Sequence, residues 1–75
     1  MRLTNLALDK RGQVINILAT GTKKRRLLDL GLTEGTEIVA KIKSPCGEPT
    51  AFLIRGTLIA LRKEETDLIK IESVS

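Results

Sequence analysis

Histidine, tryptophan and tyrosine are absent from this 75-residue chain, and Phe52 is its single aromatic residue. Without an imidazole, the commonest general base and the commonest metal ligand are missing together, so neither an enzyme nor a tight metal centre is expected. Cys46 stands alone, which excludes an internal disulfide and the paired-cysteine spacings of structural zinc sites. Its neighbours Pro45, Gly47 and Glu48 supply no positive field to activate a thiol, so Cys46 reads as a turn residue and not as a nucleophile. No apolar run approaches the roughly 18 residues of a membrane span, and the N-terminus has no signal-peptide pattern. The expected location is the cytoplasm, without membrane insertion. Walker-type phosphate loops and dinucleotide fingerprints are also lacking, and no cofactor is implied.

What remains is a chain with 41% apolar and 29% charged residues. That balance fits one small globular domain over residues 1–75, with a core of Leu, Ile and Val. The net charge of +4 is unevenly placed: residues 1–43 hold nine bases and four acids, residues 44–75 four bases and five acids. A moderate excess of this kind is ordinary for proteins that bind no polyanion. Acids are mixed among the bases and no aromatic platform exists for stacking, so nucleic acid is not an expected partner.

The densest structural signal is Arg25-Arg26-Leu27-Leu28-Asp29-Leu30-Gly31-Leu32-Thr33-Glu34-Gly35-Thr36. Gly31 sits where a helix end wants a left-handed residue, and Leu32 follows where a Schellman stop returns an apolar side chain to the last turn. Gly35 allows a second bend before the next strand. Upstream, Gln13 to Leu18 reads as a strand with Ile15 and Ile17 on one face, and Thr22 as the N-cap of a helix ending at Leu30. Leu27, Leu28 and Leu30 form that helix's packing arc. Glu37 to Lys43 alternates cleanly, with Ile38, Ala40 and Ile42 inward. Ser44 to Pro49 is a loop between antiparallel strands. Ala51–Arg55 and Thr57–Leu61 are strands meeting at Gly56, which suits a bulge or a barrel corner. Arg62 to Asp67 is a single helical turn, and Leu68 to Ser73 a last strand with Ile69 and Ile71 inward. Together these predict a mainly β fold: a small barrel of about five strands, one short helix after the first and one helical turn before the last.

Candidate contact residues fall in two segments. Lys23, Lys24, Arg25 and Arg26 gather at a helix N-terminus, where the macrodipole disfavours cations; either an acidic partner uses them, or solvent and Asp29 relieve the conflict. Pro45, Cys46, Gly47, Glu48 and Pro49 form the loop. Glu64, Glu65 and Asp67 read as a solvated acidic turn, with weak metal binding as the alternative. Val39, Leu53, Leu58 and Leu68 take the outward pleat phase, leaving them either under the helix or open as a docking face.

Set in order, these marks resemble the FeoA family. The carriers are Arg26 to Leu32 with Gly35-Thr36, Ser44-Pro45-Cys46-Gly47-Glu48-Pro49, Ile54-Arg55-Gly56, Ala60 to Glu65, and the closing Ile69-Lys70-Ile71-Glu72. Cys46 departs from the larger aliphatic residue usual at its position, and Thr66 from a small alanine. The resemblance implies an SH3-like domain in which Gly31, Gly35 and Gly56 make turns. It also implies a cytoplasmic accessory protein that docks on the FeoB ferrous iron transporter, on its GTP-binding region, and supports or regulates uptake; it does not imply that the protein itself carries iron. The same module resembles the C-terminal domain of iron-dependent repressors, so a regulatory module of that type, or a weak nucleic-acid-binding domain, is the alternative. The start at Met1 without a helix-turn-helix favours a free-standing role.

Overall fold

The structure, a computed structural model, describes residues 1–74. A 3₁₀ turn at Leu3–Asn5 is followed by β1 (Arg11–Ile17), α1 (Gly21–Asp29), β2 (Glu37–Lys43), β3 (Thr50–Ile54), β4 (Thr57–Leu61), α2 (Lys63–Thr66) and β5 (Ile69–Val74). All strand pairings are antiparallel, and the order across the sheet is β4-β3-β2-β1-β5. The five strands, the helix and the single turn before the last strand match the expectation. The closed barrel does not: among the described residues β4 and β5 do not pair, so the sheet is open with two edges. One edge is covered by the start of the chain, where the Met1 ammonium donates to the Ile71 carbonyl at 2.9 Å and Ile71 N–H to the Met1 carbonyl at 2.7 Å.

Two β-bulges decide which residues face inward. In β1, Val14 pairs with Ile71 and Asn16 with Lys70, which leaves Ile15 as the extra residue. In β2, Ala40 pairs with Phe52 and Ile42 with Ala51, which leaves Lys41 extra. A bulge reverses the pleat phase beyond it. Hence Ile15, 43% exposed, is parted from the half-buried Ile17 expected to share its face, and Ile38 and Ala40 are buried while Ile42, expected inward, is 57% exposed.

Helix α1 begins at Gly21, one residue before the expected cap: Thr20 takes the cap position without a side-chain bond, and its carbonyl accepts from Lys24 N–H at 3.4 Å. The helix end follows the Schellman pattern, with Leu32 N–H bonded to the Leu27 carbonyl at 3.1 Å and Gly31 N–H to the Leu28 carbonyl at 2.9 Å. Leu27 and Leu32 are fully buried, whereas Leu28 is 40% exposed. The three leucines span about 160° of helix circumference, more than a helix docked through its last turn can cover, and Leu28 lies at the far margin.

The core is one-sided. Val14, Ile38, Ala40, Phe52, Ile54, Leu61, Ile69 and Ile71 line the inner face of the curled sheet, and Leu3, Ala19, Leu27 and Leu32 close over them. Gly56 is not a bulge or corner: Arg55 and Gly56 form a two-residue hairpin turn between paired Ile54 and Thr57, with φ of +50° and +80° as a type I′ turn requires.

Candidate functional site

The basic segment occupies the first turns of α1, where no acid is present, and Lys23, Lys24 and Arg25 are exposed. Arg26 differs, because its guanidinium pairs with Glu65 of α2, whose side chain is only 10% exposed. The anticipated partner of Arg26, Asp29, is exposed on the helix surface instead. Lys24, Arg25, Leu28 and Asp29 line a shallow hollow of about 380 Å³. An apolar side chain thus sits among bases on the outward side of the helix.

The loop after β2 is held by its own polar groups. Ser44 Oγ donates to the Glu48 carbonyl at 2.8 Å, and Gly47 N–H to the Ser44 carbonyl at 2.8 Å. The Glu48–Pro49 peptide is cis. Pro45, Cys46, Gly47 and Glu48 are exposed and Pro49 half-buried. Cys46, Gly47 and Glu48 share a cleft of about 320 Å³ with Leu6, Phe52 and Lys43.

α2 joins these two segments. Glu48 Oε1 accepts from Lys63 N–H at 2.7 Å, satisfying a donor at the first turn of α2. Glu65 takes Arg26 on one carboxylate oxygen and Arg62 N–H on the other, the latter at 3.2 Å. Thr66 Oγ1 lies 2.7 Å from Thr4 Oγ1, and Asp67 is bonded by Thr4 and by Lys63 Nζ at 3.3 Å. The Thr4 hydroxyl, with Lys63 and Arg2 adding their charges against partial desolvation, holds the Asp67 carboxyl below the usual carboxylate range. The acidic turn is therefore not a solvated charge run, since Glu65 and Thr66 are buried. Among the described residues no group of three or more His, Cys, Asp or Glu side chains is placed to hold a metal ion.

Arg55 is the contact that sequence reasoning missed. Its Nε donates to the Gly31 carbonyl at 3.1 Å, and its Nη2 lies 3.3 Å from Thr33 Oγ1. The only signal was the Arg55-Gly56 pair itself, which marks a turn but not its reach. On the outer face of the sheet, Val39, Leu53 and Leu58 form one row through direct cross-strand pairing. Val39 and Leu53 are half-buried and Leu58 is 51% exposed. The hollow over this row is lined by Gly35, Glu37, Arg55 and Gly56, not by α1.

The fold and its surfaces define a small SH3-like antiparallel module. An FeoA domain model matches residues 1–73. The chain belongs to the FeoA family, which is involved in ferrous iron transport. The solved FeoA-like protein of Clostridium acetobutylicum is 32% identical with a TM-score of 0.92, covering 100% of this chain and 87% of that one. The Stenotrophomonas maltophilia FeoA complexed with zinc, described as a procaryotic SH3 domain protein, is 30% identical with a TM-score of 0.85, covering 96% and 89%. A fusion of Fe(2+) transport protein A with the transporter FeoB, from Porphyromonas gingivalis, is 25% identical over 75 residues; the match takes in 100% of this chain but only 9% of that protein. Among the described residues no helix is long and apolar enough to cross a membrane.

Proposed function

We propose that this chain docks on a FeoB-type ferrous iron transporter, on its GTP-binding cytoplasmic region, and supports or regulates iron uptake without itself carrying the ion. The observation that carries this reading is the fused relative, in which an FeoA unit and FeoB share one polypeptide. Covalent linkage holds two modules at high effective concentration; where an FeoA unit and its transporter are separate chains, surface affinity replaces the tether. The surface offered for that task is the exposed helix face of Lys23, Lys24 and Arg25 with Arg26 at its base, together with the Pro45–Pro49 loop. Each of them is attached to α2, Arg26 through Glu65 and the loop through Glu48 and Lys63.

Titration of the FeoB cytoplasmic region with this chain, with and without guanine nucleotide, tests the proposal. Saturable binding is expected, weakened about tenfold or more in a Lys24→Glu, Arg25→Glu variant as charge complementarity is reversed. Arg26 is left intact in that variant because its loss would strand Glu65. No binding in either nucleotide state, with ferrous iron uptake unchanged on deletion, would refute it.

A further inference from the structure

The two edges of the open sheet are treated differently. On β5, Met1 and Arg2 pair with Ile71 and Lys70 and occupy the outer backbone groups of Ile71 at the middle of the strand. On β4, nothing comparable is present among the described residues. Because Ile54 and Thr57 close a two-residue hairpin, Thr57, Ile59 and Leu61 spend their backbone groups on β3. The N–H and C=O of Leu58 and Ala60 must then point away from the sheet. Edge strands are ordinarily protected by a charge, a proline or a bulge. β4 reads Thr-Leu-Ile-Ala-Leu, pairs with β3 without a register shift, and has none of these.

From this edge we infer that two copies of the chain associate through β4 about a two-fold axis, forming one antiparallel sheet of ten strands. The occupant follows from self-complementarity. With the axis at Ile59, Leu58 of one copy faces Ala60 of the other, and their outward N–H and C=O groups form four hydrogen bonds. The side chains match as well. The outer-face rows Val39–Leu53–Leu58 and Ile42–Ala51–Ala60, each joined by cross-strand pairing, run end to end across the axis as an apolar band. Burial of Leu58, 51% exposed in the single chain, accompanies the pairing. Since a two-fold contact uses the same β4 edge on both copies, the association closes at two copies and does not propagate. A contact of five residues a side falls in the small, transient class of interface, with a Kd of about 10 μM to 1 mM. The net charge of +4 on each copy opposes the approach, so added salt tightens the pairing.

Sedimentation equilibrium of the full chain, from about 10 μM to about 2 mM, brackets that range. The expected result is a monomer–dimer equilibrium with slowed amide exchange at Leu58 and Ala60 as concentration rises. Ala60→Pro deletes an N–H the fold does not use and is expected to weaken dimerisation at least tenfold. Leu58→Lys is expected to do the same and covers the case in which the proline variant misfolds. Ile15→Lys, on β1 outside both rows and adding the same charge as Leu58→Lys, leaves the dimer within about twofold. A monomer at every concentration, growth beyond two copies, or full dimerisation by folded Leu58→Lys would each overturn the inference.

Discussion

Arg55 reaches from the β3–β4 turn across to the helix stop, and the space it fills is the space a side chain at Gly31 would need. A Cβ at Gly31 would lie 2.9 Å from Arg55 Cδ, on a backbone with φ of +97°. Gly31→Ala is therefore expected to cost about 1–3 kcal/mol, read as a lower urea midpoint with an unchanged slope. Adding Arg55→Ala removes the collision but not the left-handed backbone, so it restores only part of the loss. Asp67 is the second informative residue. Its carboxyl titrates lower in the folded chain than in the unfolded one, chiefly through the Thr4 hydroxyl. Its stabilising contribution is thus present above the ordinary carboxylate range of about pH 4 and fades as pH falls through the lowered folded value. Thr4→Val raises the Asp67 pKa and flattens this acid dependence. An NMR titration of the Asp67 carboxyl, with urea melts at neutral and acid pH, checks both.

At the scale of elements, legibility followed residue chemistry. The helix stop was readable because Gly31 and Leu32 are the residue types such a stop requires, and the bonds from Leu32 to Leu27 and from Gly31 to Leu28 form as the pattern says. The two bulges were not readable, because Ile15 and Lys41 carry no residue-type signal for an extra position in a strand. Their consequence was to part Ile15 from Ile17 and to turn Ile42 outward against the clean alternation of β2. Ile15→Lys and Ile42→Lys are accordingly expected to change stability by no more than about 0.5 kcal/mol. Leu27→Ala, at the one point where α1 enters the core, is expected to cost about 2–5 kcal/mol. Thermal and denaturant melts of the three variants separate these outcomes. Leu28 shows the same limit in a helix: periodicity named an arc, but the depth of docking chose which part of it is buried.

For the whole molecule, a chain of 75 residues has a total stability of only about 4–11 kcal/mol, so few connections are dispensable. Both candidate contact segments could be picked out in advance, one by its run of bases and the other by its turn residues. Their attachment could not, because Glu48 meets Lys63 and Arg26 meets Glu65 across stretches of chain that no local pattern spans. Nor could the open sheet be told from a closed one, since strand count and turn spacing are the same in both. The shared anchorage on α2 has a kinetic consequence. Four residues hold the start of the chain, the loop and the helix at once. Opening α2 releases all three together, so their amides belong to one cooperative unit. Native-state hydrogen exchange in low denaturant is expected to give Gly47, Arg26 and Thr66 a common opening free energy, below that of Phe52 and Ile71 in the sheet. A Glu48→Gln, Glu65→Gln variant lowers that value for the whole unit while leaving the sheet amides where they were.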